Sequence, residues 1–175
     1  MSSIAIQYYT TPLGELIIGV YEHKLCLCDW RYREMRTAID QRIQRELQAS
    51  YIEQEHELIE ATIQQIAAYF SADQKTFSIP LLFCGTAFQQ EVWQALMNIP
   101  YGETLSYLQL SQQLGNEKAI RAVASANGAN ALALFVPCHR VIGTDGALTG
   151  YAGGIAVKQK LLDLEGSSTQ LKLTL

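Results

Sequence analysis

The segment of this chain best equipped for chemistry is Pro137-Cys138-His139-Arg140, a thiol followed directly by an imidazole and a guanidinium. A thiol reacts as the thiolate, and a neighbouring imidazole or cation makes that form accessible near neutral pH. Pro137 fixes one backbone torsion and has no N–H, so the thiol is expected on a stiffened, non-helical segment. The approach to it is apolar (Leu132, Leu134, Phe135, Val136), and Val141, Ile142 and Gly143 follow. A bare Cys-His pair, taken alone, reads as a small buried hydrophobe beside a histidine. The surrounding sequence has to decide between the two.

Cys26 and Cys28 are two apart, which puts both side chains on one face of a strand. Their spacing is not the Cys-x-x-Cys of zinc and redox sites. With Cys84 they read as structural thiols, and a zinc site built from His23, Cys26 and Cys28 stays open. Few cysteines without framework spacing fit a reducing, cytoplasmic setting. No apolar run approaches the roughly 20 residues that span a bilayer. Met1-Ser2-Ser3-Ile4 lacks the basic flank and apolar stretch of a signal peptide, so none is expected.

At 175 residues and 49% hydrophobic, the chain has the composition of a globular protein of one large or two small domains. Its net charge is −4, which argues mildly against nucleic acid. The distribution argues otherwise. Residues 1–85 hold 7 Lys/Arg against 11 Asp/Glu, whereas residues 86–175 hold 6 of each. From Glu117 to Lys160 there are 5 basic residues (Lys118, Arg121, Arg140, Lys158, Lys160) against 2 acidic ones. A local basic face can therefore exist on a globally acidic protein.

The elements that must carry these residues can be read from periodicity. Ile4–Thr10, Glu15–Tyr21 and Lys24–Trp30 predict an antiparallel meander broken at Pro12-Gly14 and Glu22-His23. Arg31–Gln48 and Glu53–Phe70 predict two amphipathic helices, the second with an acidic first turn. Thr76–Leu82 reads as a short strand, and Phe83-Cys84-Gly85 as the connection between domains 1–83 and 84–175. Thr86-x-x-Gln89 and Ser106-x-x-Gln109 are capping boxes. The first opens a helix with Phe88, Val92, Trp93, Leu96 and Met97 at helical spacing. The second opens a helix at Tyr107–Leu114, turned by Gly115-Asn116 into Glu117–Ala126. That outline fits a helix-turn-helix with Lys118 and Arg121 on a small-residue surface, and equally a tightly packed helix pair with Arg121 in a salt bridge. Leu132–Val136 and Arg140–Ile142 read as extended, Tyr151–Gly154 as a loop, and Val157–Glu165 as a closing helix. From the residues alone, three classes stay open. They are a nucleophilic-thiol DNA protein, a DNA binder with an incidental cysteine, and a cysteine hydrolase or redox enzyme. The last lacks a resolving cysteine near Cys138 and an evident oxyanion donor set.

Several separated stretches, taken in order, resemble the alkylguanine-DNA alkyltransferases (methylated-DNA–protein-cysteine methyltransferases). They are Gly85-Thr86-x-Phe88-Gln89-x-x-Val92-Trp93, Ile99-Pro100-Tyr101-Gly102-Glu103-Thr104-x-Ser106-Tyr107, Lys118-Ala119-x-Arg121-Ala122-Val123, Pro137 to Gly143, and Leu148-Thr149-Gly150-Tyr151-x-Gly153-Gly154 running into Lys158-x-x-Leu161-Leu162-x-x-Glu165. The resemblance is dense from Gly85 to Glu165 and thin before, where Thr11-Pro12-Leu13-Gly14-Glu15-Leu16 is the clearest echo. Two departures are Ala131 after Asn130, where proline is common, and Ala124-Ser125, standing where a glycine often follows the Arg-Ala-Val stretch.

The resemblance implies an α+β chain, with a small ribonuclease-H-like sheet-and-helix domain before a helix-turn-helix, winged-helix-like domain. It implies DNA repair by single-turnover, irreversible transfer of an alkyl group from the O6 of guanine in double-stranded DNA to Cys138, and it leaves the O4 of thymine open. His139, through a water, would take the thiol proton, and Glu165 would orient His139. Asn130 would hold the turn before Cys138, and Tyr107 would donate to the leaving base. Arg121 would fill the place of a nucleotide flipped out through the minor groove. Lys118, Asn116 and Thr144 would touch DNA, and Tyr151, Gly153 and Val141 would line the base pocket. No metal or organic cofactor, no membrane and action as a monomer complete the expectation.

Overall fold

The computed structural model describes residues 2–167 and the backbone of Lys172 and Leu173. The outermost ends of both expected domains lie outside the described residues. The chain forms two compact units, Met1–Gly85 and Thr86–Leu175.

The first unit is built on three strands, β1 (Ser2–Thr11), β2 (Gly14–Tyr21) and β3 (Lys24–Trp30), paired antiparallel as the alternation predicts. A helix α1 (Arg36–Leu47) leads to a fourth strand, β4 (Ala49–Glu53), and then to a helix α2 (Glu57–Phe70). β4 runs parallel to β1 and completes a sheet of order β3-β2-β1-β4. The spacing predicts α2 from Glu53, the residue that instead ends this strand. Residues 49–53 pair because β1 offers a free edge, and the Gln44 side chain captures the Tyr51 N–H at 3.1 Å. His56 then caps α2, its Nδ1 accepting from the Leu58 N–H at 3.0 Å. Thr76–Leu82, read as a strand, forms only an isolated bridge, with Leu25 and Leu81 facing each other. Pro80 supplies a carbonyl but no N–H to extend that ladder. Ile4, Leu16, Ile18, Leu27, Ile39, Ile43, Ile59 and Ile66 are fully buried or nearly so and make the core.

The open zinc reading fails here. Cys28 is fully buried, Cys26 Sγ reaches the Gly19 carbonyl at 3.5 Å, and burial pushes both thiols well above their ordinary range. Among the described residues, no group of three or more His, Cys, Asp and Glu side chains is placed to hold a metal ion. None of their helices is long and apolar enough to cross a membrane.

The second unit opens with α3 (Ala87–Leu96), whose capping box has both halves made by Thr86 and Gln89. Val92, Trp93 and Leu96 are buried, while Phe88 and Met97 stay partly exposed, so the apolar stripe is narrower than its spacing suggests. A short strand β5 (Leu105–Ser106) leads into α4 (Tyr107–Gln113), whose capping box by Ser106 and Gln109 is also complete. A 3-10 turn over Glu117–Ala119 precedes α5 (Ile120–Gly128). Trp93 Nε1 donates to the Ala126 carbonyl at 2.8 Å, which ties α3 to α5. After the cysteine segment come β6 (Val141–Ile142), β7 (Ala147–Leu148) and α6 (Ile155–Leu164). A last strand, β8 (Lys172–Leu173), pairs parallel with β7.

Candidate functional site

Two local devices set Cys138. The first lies upstream. Leu132–Val136 is not extended as read but a tight turn, closed by the Val136 N–H donating to the Leu132 carbonyl at 2.8 Å. Leu134 adopts φ +73° there, a conformation that costs an ordinary residue about 1–2 kcal/mol. Asn130 holds the turn from both sides. Its Nδ2 donates to the Val136 carbonyl at 2.8 Å, and its Oδ1 accepts from the Leu132 N–H at 2.9 Å. The second device is Pro137 itself, at φ −80° and ψ 66°, the geometry of an inverse γ-turn. Across it the Cys138 N–H reaches the Val136 carbonyl at 2.8 Å. Cys138 then begins a single 3-10 turn, Cys138–Arg140, so the extended run expected over Arg140–Ile142 starts one residue later, at Val141.

A third device aligns the neighbours. β5 and β6 pair in parallel, Leu105 with Val141 and Ser106 with Ile142. This places the first residue of α4, Tyr107, beside the segment that follows the cysteine.

His139 and Glu165 form the heart of the site. Both are buried, and His139 Nε2 lies 2.7 Å from Glu165 Oε2. Arg140 grips the same carboxylate, Nε to Oε1 at 2.8 Å and Nη2 to Oε2 at 3.0 Å, while its Nη1 donates to the Ile99 carbonyl at 2.7 Å. Burial works to raise the Glu165 carboxyl, but the hydrogen bonds and charges of His139 and Arg140 outweigh it and hold the group well below the usual carboxylate range. Burial keeps His139 below its ordinary value, against the pull of Glu165 and with the Arg140 and Lys158 charges adding to the fall. A neutral imidazole facing a carboxylate must carry its proton on Nε2, which leaves Nδ1 as an acceptor. That Nδ1 is buried and has no protein partner.

The cation coupled to the thiol is not the one the sequence suggests. Arg140 serves Glu165 and Ile99. Lys158, on α6, is fully buried, and its Nζ donates to the Val141 and Thr149 carbonyls. Burial lowers its ammonium to about 8, and the negative charge of an ionised Cys138 opposes that fall. The place of Lys158 in the sequence gives it away only as an isolated lysine on the buried side of an otherwise apolar helix stripe.

The Tyr107 phenol also responds to Cys138. Burial pushes its phenol up, the Thr149 hydroxyl opposes this, Cys138 adds to the rise, and the Asn127 amide lowers it again. Asn127 Nδ2 donates to the Tyr107 hydroxyl at 3.5 Å. The Tyr151 ring lies edge-on to His139 at 6.5 Å between centroids, and Gly153 follows it half-buried in the same loop. Val141 is fully buried, and it is its carbonyl that works here, holding Lys158. An open cleft of about 410 Å³ is lined by Tyr107, Ile120, Arg121, Ala124, Thr144, Thr149 and Gly150. Arg121 and Thr144 are exposed on it. Asn116 and Lys118 are exposed on the turn before α5 but do not line it.

Fold and site together define a two-unit α+β protein that carries a cysteine, a histidine–glutamate pair and a buried lysine beside a capped helix pair. Two family models match nearly all of it. The ribonuclease-like domain of 6-O-methylguanine DNA methyltransferase covers residues 4–83, and the DNA binding domain of the same family covers residues 87–167. The constitutive methylated-DNA–protein-cysteine methyltransferase of Bacillus subtilis is 45% identical over 95% of this chain and 100% of its own. That of Methanosarcina acetivorans is 50% identical over 91% of this chain and 96% of its own. Among solved structures, Mycobacterium tuberculosis OGT in complex with DNA matches with a TM-score of 0.79 and 38% identity, covering 93% of each chain. The chain belongs to the 6-O-methylguanine DNA methyltransferase family.

Proposed function

We propose that this protein repairs DNA in the cytoplasm by taking an alkyl group from the O6 of guanine in the duplex onto its own Cys138. In the step, the Cys138 sulfur attacks the alkyl carbon, a sulfur–carbon bond forms, and the carbon–oxygen bond breaks with its electron pair left on the base. The thiol proton passes to His139 Nδ1 through a water, and Glu165 stabilises the imidazolium through the Nε2 proton. Tyr107 supplies a proton to the departing base. Lys158 stabilises negative charge on the sulfur before attack. The attack is at saturated carbon, so no oxyanion hole is needed.

A guanine oxygen inside the duplex cannot reach a buried thiol, so the nucleotide leaves the stack at a cost of a few kcal/mol. Arg121, exposed beside the cleft, fills the place it vacates. Lys118, Asn116 and Thr144 hold the backbone. The product is a thioether, which nothing in the site can cleave, so each molecule reacts once.

The observation that carries this reading is the buried chain Glu165–His139 ending in an unpartnered Nδ1 next door to Cys138. The test is stoichiometry. With excess duplex containing O6-methylguanine, the expected result is one methyl transferred per protein and then no further reaction. Continued turnover, or no transfer despite binding, overturns it.

A further inference from the structure

We propose that Asn127 is a positioning residue for the transfer. Its amide N–H donates to the Tyr107 hydroxyl oxygen and so reserves the Tyr107 proton for the departing base. The proposal rests on the reading of Tyr107 as proton donor given above.

Asn127 lies near the C-terminal end of α5 and is only 6% exposed. Its donor half faces the Tyr107 oxygen at 3.5 Å, and its acceptor half, Oδ1, is buried with no protein partner. Buried amides rarely leave the carbonyl unmade. Turned the other way, the amide would let Oδ1 take the phenol proton and satisfy itself. The observed orientation gives up that bond and leaves the phenol proton unclaimed. The Thr149 hydroxyl acts on the same phenol, and its Oγ1 is also buried and completes no ordinary hydrogen bond. Asn127 Nδ2 thus meets the phenol oxygen as a donor and makes no claim on its hydrogen.

At 3.5 Å the ground-state contact is weak. As the Tyr107 proton moves to the base, negative charge gathers on the phenol oxygen, and an N–H bond to a charged oxygen is shorter and stronger. The contact thus strengthens in the transition state, which is where an interaction raises the rate. The electron pair of the broken carbon–oxygen bond stays on the base, the Tyr107 proton neutralises it, and Asn127 stabilises the phenolate left behind.

The test is single-turnover transfer from duplex DNA containing O6-methylguanine, by the full chain and by Asn127→Leu, Asn127→Asp, Tyr107→Phe and the Leu/Phe double variant. Thermal unfolding and affinity for undamaged duplex are measured alongside. Asn127→Leu should slow transfer about tenfold, the worth of one hydrogen bond, with unfolding and duplex affinity unchanged. Asn127→Asp should slow it at least as much, because a carboxylate takes the phenol proton. In the Tyr107→Phe background, Asn127→Leu should cost nothing more. Equal losses in both backgrounds, or an Asn127→Asp variant at the unmodified rate, overturn the proposal. Tyr107→Phe at the unmodified rate sinks the underlying reading of Tyr107 instead. Should Asn127→Leu fail to fold, Asn127→Ser carries the same comparison.

Discussion

One environment produces opposite charge states in neighbouring side chains. His139 and Glu165 are both buried, yet burial, helped by the Arg140 and Lys158 charges, holds the imidazole neutral, while the hydrogen bonds and charges of His139 and Arg140 hold the carboxyl ionised. A carboxyl whose folded-state value lies below its ordinary 4.5 adds stability above that pH and loses it as the pH falls below. Glu165→Gln should therefore cost about 3 kcal/mol near neutral pH, where it leaves Arg140 buried without its partner. The gap to the unmodified protein should narrow as the pH falls below 4.5, read by denaturant unfolding near neutral pH and near about pH 3. A gap that stays constant would remove charge from the explanation. Lys158 gives a second prediction. Its ammonium persists at neutral pH and is lost as the pH rises through about 8. Lys158→Met should slow transfer near neutrality, and the rate ratio of unmodified protein to variant should shrink toward one above that pH. A ratio independent of pH would mean that Lys158 acts by packing alone.

At the scale of elements, the site is assembled by turns more than by helices. Gly102 sits at φ +83°, and a Cβ there would come within 3.1 Å of the Glu165 carbonyl oxygen. Gly102→Ala should therefore disturb Glu165 through the backbone as well as strain the turn, at about 1–3 kcal/mol. Thermal unfolding and transfer rate should fall together, and an unchanged melting point would contradict the close approach. What could be read from sequence follows the same division. The capping boxes at Thr86 and Ser106 were legible because both partners lie within four residues. β4 was not, because residues 49–53 become a strand through an edge that β1 provides. The Leu132–Val136 turn was hidden by an apolar composition that reads as a strand, while its shape comes from the Asn130 side chain and a left-handed Leu134. The part of Lys158 was hidden for a related reason. Arg140 stands two residues after Cys138, yet its guanidinium turns to a glutamate 25 residues on, while the lysine whose ammonium responds to an ionised Cys138 arrives on a later helix.

For the molecule as a whole, charge and chemistry are divided unequally. The acidic excess lies in residues 1–85, and residues 86–175 are balanced, with the cleft's exposed Arg121 among them. Binding to DNA should weaken quickly with salt, since phosphate contacts set its strength. Arg121→Ala should slow transfer from duplex by about tenfold or more, the scale of the stacking it replaces, and leave reaction with free O6-methylguanine base nearly unchanged. Equal losses on both would remove Arg121 from the extrusion step. Everything else depends on one sulfur becoming the acceptor. The direct measurement is the mass of the peptide carrying Cys138 after incubation with duplex containing O6-methylguanine, beside Cys138→Ser as control. The account predicts a gain of one methyl on that peptide, with transfer lost and duplex binding kept in the serine variant. An unmodified Cys138 peptide with the methyl found elsewhere, or a serine variant that still transfers, would contradict it.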